Sequence, residues 1–176
     1  MGFSDIGGLV YEDNRYKVHK IPFQYFNKRL LRDINQRAFN RELIDYYFRL
    51  LEEKEGEIYY ESQLFGLVSL IPKLAEGVPA HMVTLAVLPE HRRKGVGSAL
   101  IYAALDDYKK LNWRSKLGNG EANNLYAELV NDGLADTGEP FVGKEGIIYN
   151  PYWINHTSED KKKSLEHMMQ LPNYFK

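Results

Sequence analysis

The chain has no cysteine among its 176 residues. That excludes disulfides, thiol nucleophiles and zinc-thiolate sites, and it suits a reducing compartment. No apolar run approaches the roughly 20 residues that a membrane-spanning helix needs. Neither sign of charge is in excess: 23 Lys and Arg stand against 24 Asp and Glu, a formal net charge of −1. The basic surplus of a general nucleic-acid binder is therefore missing. The opening stretch MGFSDIGGLVYED lacks the basic segment and long apolar run of a secretory leader. Position 6 is Ile, where a myristoylation pattern needs Ser or Thr. These absences set the expectation of a soluble cytoplasmic protein with no membrane and no nucleic-acid partner. Repeats, linkers and biased tracts are also missing, so residues 1–176 read as a single domain. With 44% apolar residues it is long enough to bury a proper core.

What is present is a succession of short periodic segments. RYKVHKI (15–21) alternates as a strand does. Pro22 is expected in the first turn of a helix, followed by Phe23, Phe26, Leu30, Ile34 and Ala38 on one stripe. Asn40 is expected to cap a second helix that buries Leu43, Ile44, Tyr47, Phe48 and Leu51 and ends at Gly56. Strands follow at 57–61, 63–71 and about 80–88. Leu100, Ile101, Ala104, Leu105, Tyr108 and Leu111 then mark the clearest helix in the chain. Beyond it the pattern gives a strand at 112–117, a helix at 121–132 and a strand at 146–153. A last helix, about 157–171, has Thr157 and Asp160 spaced for a capping box and stops before Pro172. The predicted fold class is mixed α/β (α+β), with a largely antiparallel central sheet flanked by helices.

Chemistry concentrates in one turn. VTLAVLPEHRRKGVGSAL (83–100) passes from a β-branched strand through Arg92, Arg93, Lys94, Gly95, Val96, Gly97 and Ser98 into that clearest helix. A helix N-terminus offers unpaired N–H groups and about half a positive charge. Glycines let backbone approach an anion closely. Three cationic side chains at the same place make a phosphate or pyrophosphate site. The spacing does not match a nucleotide P-loop, and Leu100 stands where a Rossmann turn needs its third glycine.

The turn does match [Q/R]-x-x-G-x-[G/A] through Arg92, Gly95 and Gly97, and in this it resembles the acetyl-CoA motif of the GNAT superfamily of N-acetyltransferases. Downstream, NGEANNLY (119–126) matches a second element of that family, N-x-x-A-x-x-L-Y, at all four fixed positions. The likeness covers about residues 15–153 and leaves the final helix as an extension to the common core. It departs from the family pattern after Tyr126, where AELVNDGL is longer than the usual approach to a Gly-Phe pair.

The resemblance implies an acetyl-CoA-dependent N-acetyltransferase that moves the acetyl group to a primary amine by direct attack in a ternary complex. The backbone of Leu85, Ala86 and Val87 would pair with the pantetheine amides as an added strand. The amides of Arg93 to Ser98 would hold the pyrophosphate, with the side chains of Arg92, Arg93 and Lys94 attracting it from further out. Asn119 would lie near the thioester, and Tyr126 would supply a proton to the departing thiolate. His81 stands 11 positions before Arg92, on the strand where related enzymes often carry a glutamate, and would act as base directly or through water. No metal is expected. The acceptor would be a small-molecule or peptide amine, and a homodimer is open, since the final helix could pack across one. Two other functions stay open on the same residues. One is a non-catalytic acyl-CoA-binding or regulatory module, suggested by the missing glutamate. The other is a nucleotide-phosphate binder, disfavoured by the missing P-loop.

Overall fold

A computed structural model of the chain describes residues 7–176. The reading of the N-terminus falls partly on residues 1–6, outside the described residues. The elements run β1 (Gly8–Glu12), β2 (Lys17–Pro22), α1 (Lys28–Phe39), α2 (Asp45–Glu53), β3 (Glu57–Glu61), β4 (Gly66–Ile71), β5 (Ala80–Val87) and α3 (Val96–Tyr108). There follow β6 (Leu111–Lys116), α4 (Gly120–Asn131), β7 (Asp136–Thr137), β8 (Phe141–Val142), β9 (Ile148–Ile154) and α5 (Ser158–Met168). This is a mixed α/β fold with a mostly antiparallel sheet flanked by helices. No helix among the described residues is long and apolar enough to cross a membrane.

Two compact units make up the chain. The first holds residues up to Pro72, Met82–Asp107 and Tyr174–Lys176. Here β1, β2, β3 and β4 pair antiparallel in chain order, and β5 lies next to β4. Residues Ile58 to Glu61 and all of β4 are buried, which explains their aromatic and branched composition. On α3, Val96, Ala99, Leu100, Ile101, Ala103 and Ala104 are all buried, so this helix carries apolar residues well beyond a single stripe. A buried hydroxyl chain joins the elements: Tyr47 donates to Ser69 at 2.7 Å, and Ser69 meets Thr84 at 2.7 Å. Burial pushes the Tyr47 phenol up to about 12.

The first unit corrects four expectations. Strand β1 pairs with β2 and precedes the segment 15–21 expected as the first strand; the register shifts between Leu9 and Tyr11, which breaks the period of two. Pro22 ends β2 rather than opening a helix. Phe23 and Phe26 are buried at a 3-10 turn, and α1 starts later, behind Asn27, whose side chain accepts from the Leu30 amide at 3.0 Å. Asn40 caps the end of α1 in a left-handed conformation (φ 53°), not the start of α2. Helix α2 starts instead behind Ile44, whose amide donates to the Tyr174 carbonyl at 2.8 Å, so the C-terminal tail covers a helix start that has no side-chain cap. After α2 the left-handed residue is Glu55 (φ 52°), while the Gly56 amide returns to the Leu51 carbonyl.

The second unit holds Lys73–His81 and Tyr108–Asn173. Ala80 and His81, the first residues of β5, pair parallel with Leu111 and Asn112 of β6. Strand β6 pairs antiparallel with β9 along its whole length, and the short strands β7 and β8 both pair with β9. Helix α5 opens with the expected capping box: the Asp160 amide donates to Thr157 and the Thr157 amide to Asp160, each at 3.0 Å. Lys110, 2.7 Å from Asp160, pulls that carboxyl down to about 2. At the other end Arg114 donates to the carbonyls of Met168, Leu171 and Pro172 at 3.1, 2.7 and 2.5 Å and lies 4.1 Å from the Tyr149 ring centre. A cation on the last carbonyls of a helix suits the dipole.

Candidate active site

The basic turn belongs to the first unit. Leu85, Ala86 and Val87 close β5, and the Leu88 amide donates to the Phe65 carbonyl at 2.9 Å. Opposite them β4 opens with Gly66, where a Cβ would lie only 2.8 Å from the Ala86 carbonyl oxygen. Pro89–His91 form a 3-10 turn. Glu90 pairs with Arg37 at 2.9 Å, and the His91 ring stacks on Phe65 with centres 3.6 Å apart, so both help to shape the turn.

Arg92 is committed to the fold. Its Nε donates to the Val87 carbonyl at 3.1 Å, and Nη2 donates to the Ala38 carbonyl at the end of α1. Arg93 (φ 62°) and Gly95 (φ 94°) both adopt left-handed conformations, which reverse the chain before α3. The Tyr16 hydroxyl donates to the Lys94 carbonyl between them at 2.8 Å. The first intrahelical bond is Ala99 amide to Gly95 carbonyl at 3.0 Å. The amides of Val96, Gly97 and Ser98 thus have no acceptor within the helix. No sequence pattern pointed to Arg15, yet its guanidinium lies against this turn: a Cβ on Gly95 would come within 2.4 Å of Nη2. Arg15 is exposed, and only the tertiary fold brings it there.

Asn119, Tyr126 and His81 belong to the second unit. Asn119 caps α4, accepting from the Ala122 amide at 3.4 Å. Tyr126, on the second turn of α4, is buried against the cross-strand pair Trp113 and Tyr152, with ring centres 5.3 and 5.0 Å away. Burial, and secondarily the nearby Tyr152, raise its phenol well above the ordinary value, so it stays protonated. Among the described residues its hydroxyl has no hydrogen-bond partner.

His81 is 1% exposed, and the parallel register sets it beside Asn112. Its Nδ1 lies 2.7 Å from Asn112 Oδ1. Burial, only partly offset by that bond, lowers its pKa to about 4, so the ring is neutral at physiological pH. Nε2 is buried and has no partner among the described residues. Adjacent residues of a strand point to opposite faces. Asn112 and Trp113 are adjacent, so His81 and Tyr126 pack on opposite faces of β6.

The acids that could draw a cationic acceptor are held locally. Glu57 pairs with Lys20 at 3.0 Å, Glu76 with Lys73 at 2.9 Å, and Glu61 accepts from the Gln63 amide at 2.9 Å. Tyr149, Tyr152 and Trp153 of the tyrosine-rich strand are buried in packing. No group of three or more metal-ligating side chains occurs among the described residues.

A sequence model of the Acetyltransferase (GNAT) family matches residues 18–129, from β2 through α4. The chain belongs to the GNAT family. No curated protein sequence matches it. Solved structures of GNAT fold do. An acetyltransferase from Thermus thermophilus aligns with a TM-score of 0.56 and 12% identity over 82% of this chain and 98% of that one. The ribosomal-protein-S18-alanine N-acetyltransferase of Escherichia coli gives 0.55 and 15% over 81% and 97%. A GNAT-family acetyltransferase from Bacillus cereus gives 0.55 and 13% over 80% and 98%. At such identities the likeness is one of fold. The GNAT match includes the basic turn and the Asn119–Tyr126 segment, and it ends before α5.

Proposed function

We propose that this GNAT-family chain binds acetyl-CoA and transfers the acetyl group to a primary amine. The observation that carries the proposal is the turn 92–98, where two left-handed residues, Arg93 and Gly95, precede helix amides, that of Gly97 among them, that lack intrahelical acceptors. Such a turn fits a pyrophosphate. Lys94, Arg93 and Arg15 are the cations available to it, since Arg92 is already bound to two carbonyls. The backbone of Leu85, Ala86 and Val87 is the strand for the pantetheine arm, with Asn119 near the thioester.

Attack by a neutral amine on the thioester carbon forms the C–N bond. Collapse of the adduct breaks the C–S bond and releases CoA as thiolate, while one N–H proton leaves to solvent. Tyr126 is the donor that would meet the developing thiolate. Its raised pKa sits above the roughly 8.5 of a thiol, so it contributes a hydrogen bond rather than outright proton transfer. His81, with its pKa near 4, cannot hold a proton taken from an ammonium, which titrates at about 10. Its free Nε2 can accept a hydrogen bond from the amine or from a water that relays the proton.

Release of free thiol from acetyl-CoA, followed across a panel of small amines and peptides, tests the reading. Acetyl-CoA-dependent release with one acceptor class is expected. The second reading is an acyl-CoA-binding module without turnover, and the weak basicity of His81 favours it. Tight acetyl-CoA binding with no release on any amine would decide for that alternative.

A further inference from the structure

His81 sits at the open end of a hydrogen-bond chain whose direction can be worked out link by link, all within the second unit. His156 Nδ1 lies 2.9 Å from the Ile154 carbonyl, and a carbonyl can only accept, so Nδ1 carries the proton and Nε2 is the lone pair. Asn112 Nδ2 lies 3.2 Å from the Pro79 carbonyl, which fixes the amide with its NH2 on that side. The same NH2 group lies 3.4 Å from His156 Nε2 and donates to it. Asn112 Oδ1 must then be the acceptor at 2.7 Å from His81 Nδ1. His81 therefore carries its proton on Nδ1 and presents a bare lone pair at Nε2, fully buried and without a partner among the described residues. Only an N–H or O–H donor can complete the chain.

We propose that Asn112 and His156 are positioning residues that lock His81 in the Nδ1–H tautomer, so that Nε2 receives the N–H of the acceptor amine or the O–H of a water bound to it. This rests on the acetyl-transfer reading for the identity of the donor. The tautomer itself follows from the geometry alone. Arg114 faces the His81 ring electrostatically and opposes its protonation, and Asp160, Lys110 and Lys161 surround His156. A neutral ring is thus what the surroundings favour, and a neutral ring is what an acceptor requires.

Nitrogen-15 spectra of the imidazole rings in the full-length protein at neutral pH test the tautomer without any ligand. His81 is expected to be protonated at Nδ1 and bare at Nε2. Asn112→Ala should lose that preference. His156→Gln should keep it, because a glutamine carbonyl can still accept from Asn112, whereas His156→Leu leaves only the Pro79 carbonyl to orient the amide and should weaken it. A proton found on Nε2 of His81 in the natural protein overturns the proposal. Where the thiol-release assay has identified an accepted amine, Asn112→Asp gives a second readout. A carboxylate beside the ring raises the His81 pKa, so a new acid limb should enter the kcat/KM profile near or above about pH 6.5. Activity should fall tenfold per pH unit below that limb. A uniform loss at every pH, with no new limb, would show a merely structural role and contradict the proposal. Failure of acetyl-CoA to bind would overturn the acetyl-transfer reading and leave the ring spectra to decide this one.

Discussion

At the scale of single residues, the buried titratable groups make distinct claims. His81 is neutral when folded, with a pKa near 4 against 6.5 for an ordinary histidine. Between those values the unfolded chain binds the extra proton, so stability is complete above about pH 6.5 and declines as pH falls toward 4. The difference corresponds to about 3 kcal/mol at roughly 1.4 kcal/mol per pH unit. Denaturant titrations of the natural protein and of His81→Gln at pH 7 and pH 4.5 should show the acid-side loss much reduced in the variant. Equal losses in both would contradict a neutral buried imidazole. Tyr126 makes the complementary claim. Its hydroxyl has no partner among the described residues, so Tyr126→Phe should leave the Tm nearly unchanged and leave acetyl-CoA binding intact while kcat drops about 100-fold. An unchanged kcat would reduce Tyr126 to ring packing against Trp113 and Tyr152.

At the scale of elements, the turn into α3 should be the least forgiving segment. Gly95 holds φ 94°, and a side chain there would also meet the Arg15 guanidinium. Arg15 is long and exposed and can move aside, so the backbone conformation sets most of the penalty. Gly95→Ala should cost about 1–2 kcal/mol of stability, read as a lower denaturation midpoint, and should weaken acetyl-CoA binding beyond what that loss explains. Unaltered stability and affinity would mean that the turn tolerates a Cβ and is not pressed against an anion.

The same element shows where the sequence was informative and where it was silent. The turn and α3 were legible because their signals are local: glycines, three cations and a helical stripe in one short run. The segment NGEANNLY was legible for the same reason, and Asn119 caps α4 just as a loop-to-helix asparagine can. Arg15, Asn112 and His156 were not, because each acquires its role from a partner distant in sequence. Asn112 meets His81 only through the parallel β5–β6 register, for which alternation of apolar residues gives no code. A helix start held by a tertiary contact leaves no local signal, as at Ile44, whose amide donates to the Tyr174 carbonyl. Left-handed Asn40, Glu55 and Leu64 were equally hidden, since each turn could have been drawn with glycine.

At the scale of the whole chain, the family match and the solved structures agree on a GNAT fold, and the match runs through both candidate segments but stops before α5. On the proposed function, a near-neutral protein of net charge −1 would draw a polyanionic cofactor by a local field rather than a global one. The turn with Arg93, Lys94 and Arg15 is where that field would originate. Calorimetric titration of the intact protein with acetyl-CoA addresses this most directly, repeated at low and high salt. Saturable binding with a Kd below about 1 mM, weakened by added salt, is the predicted result. No heat of binding at millimolar acetyl-CoA would contradict the assignment of the turn to a cofactor pyrophosphate.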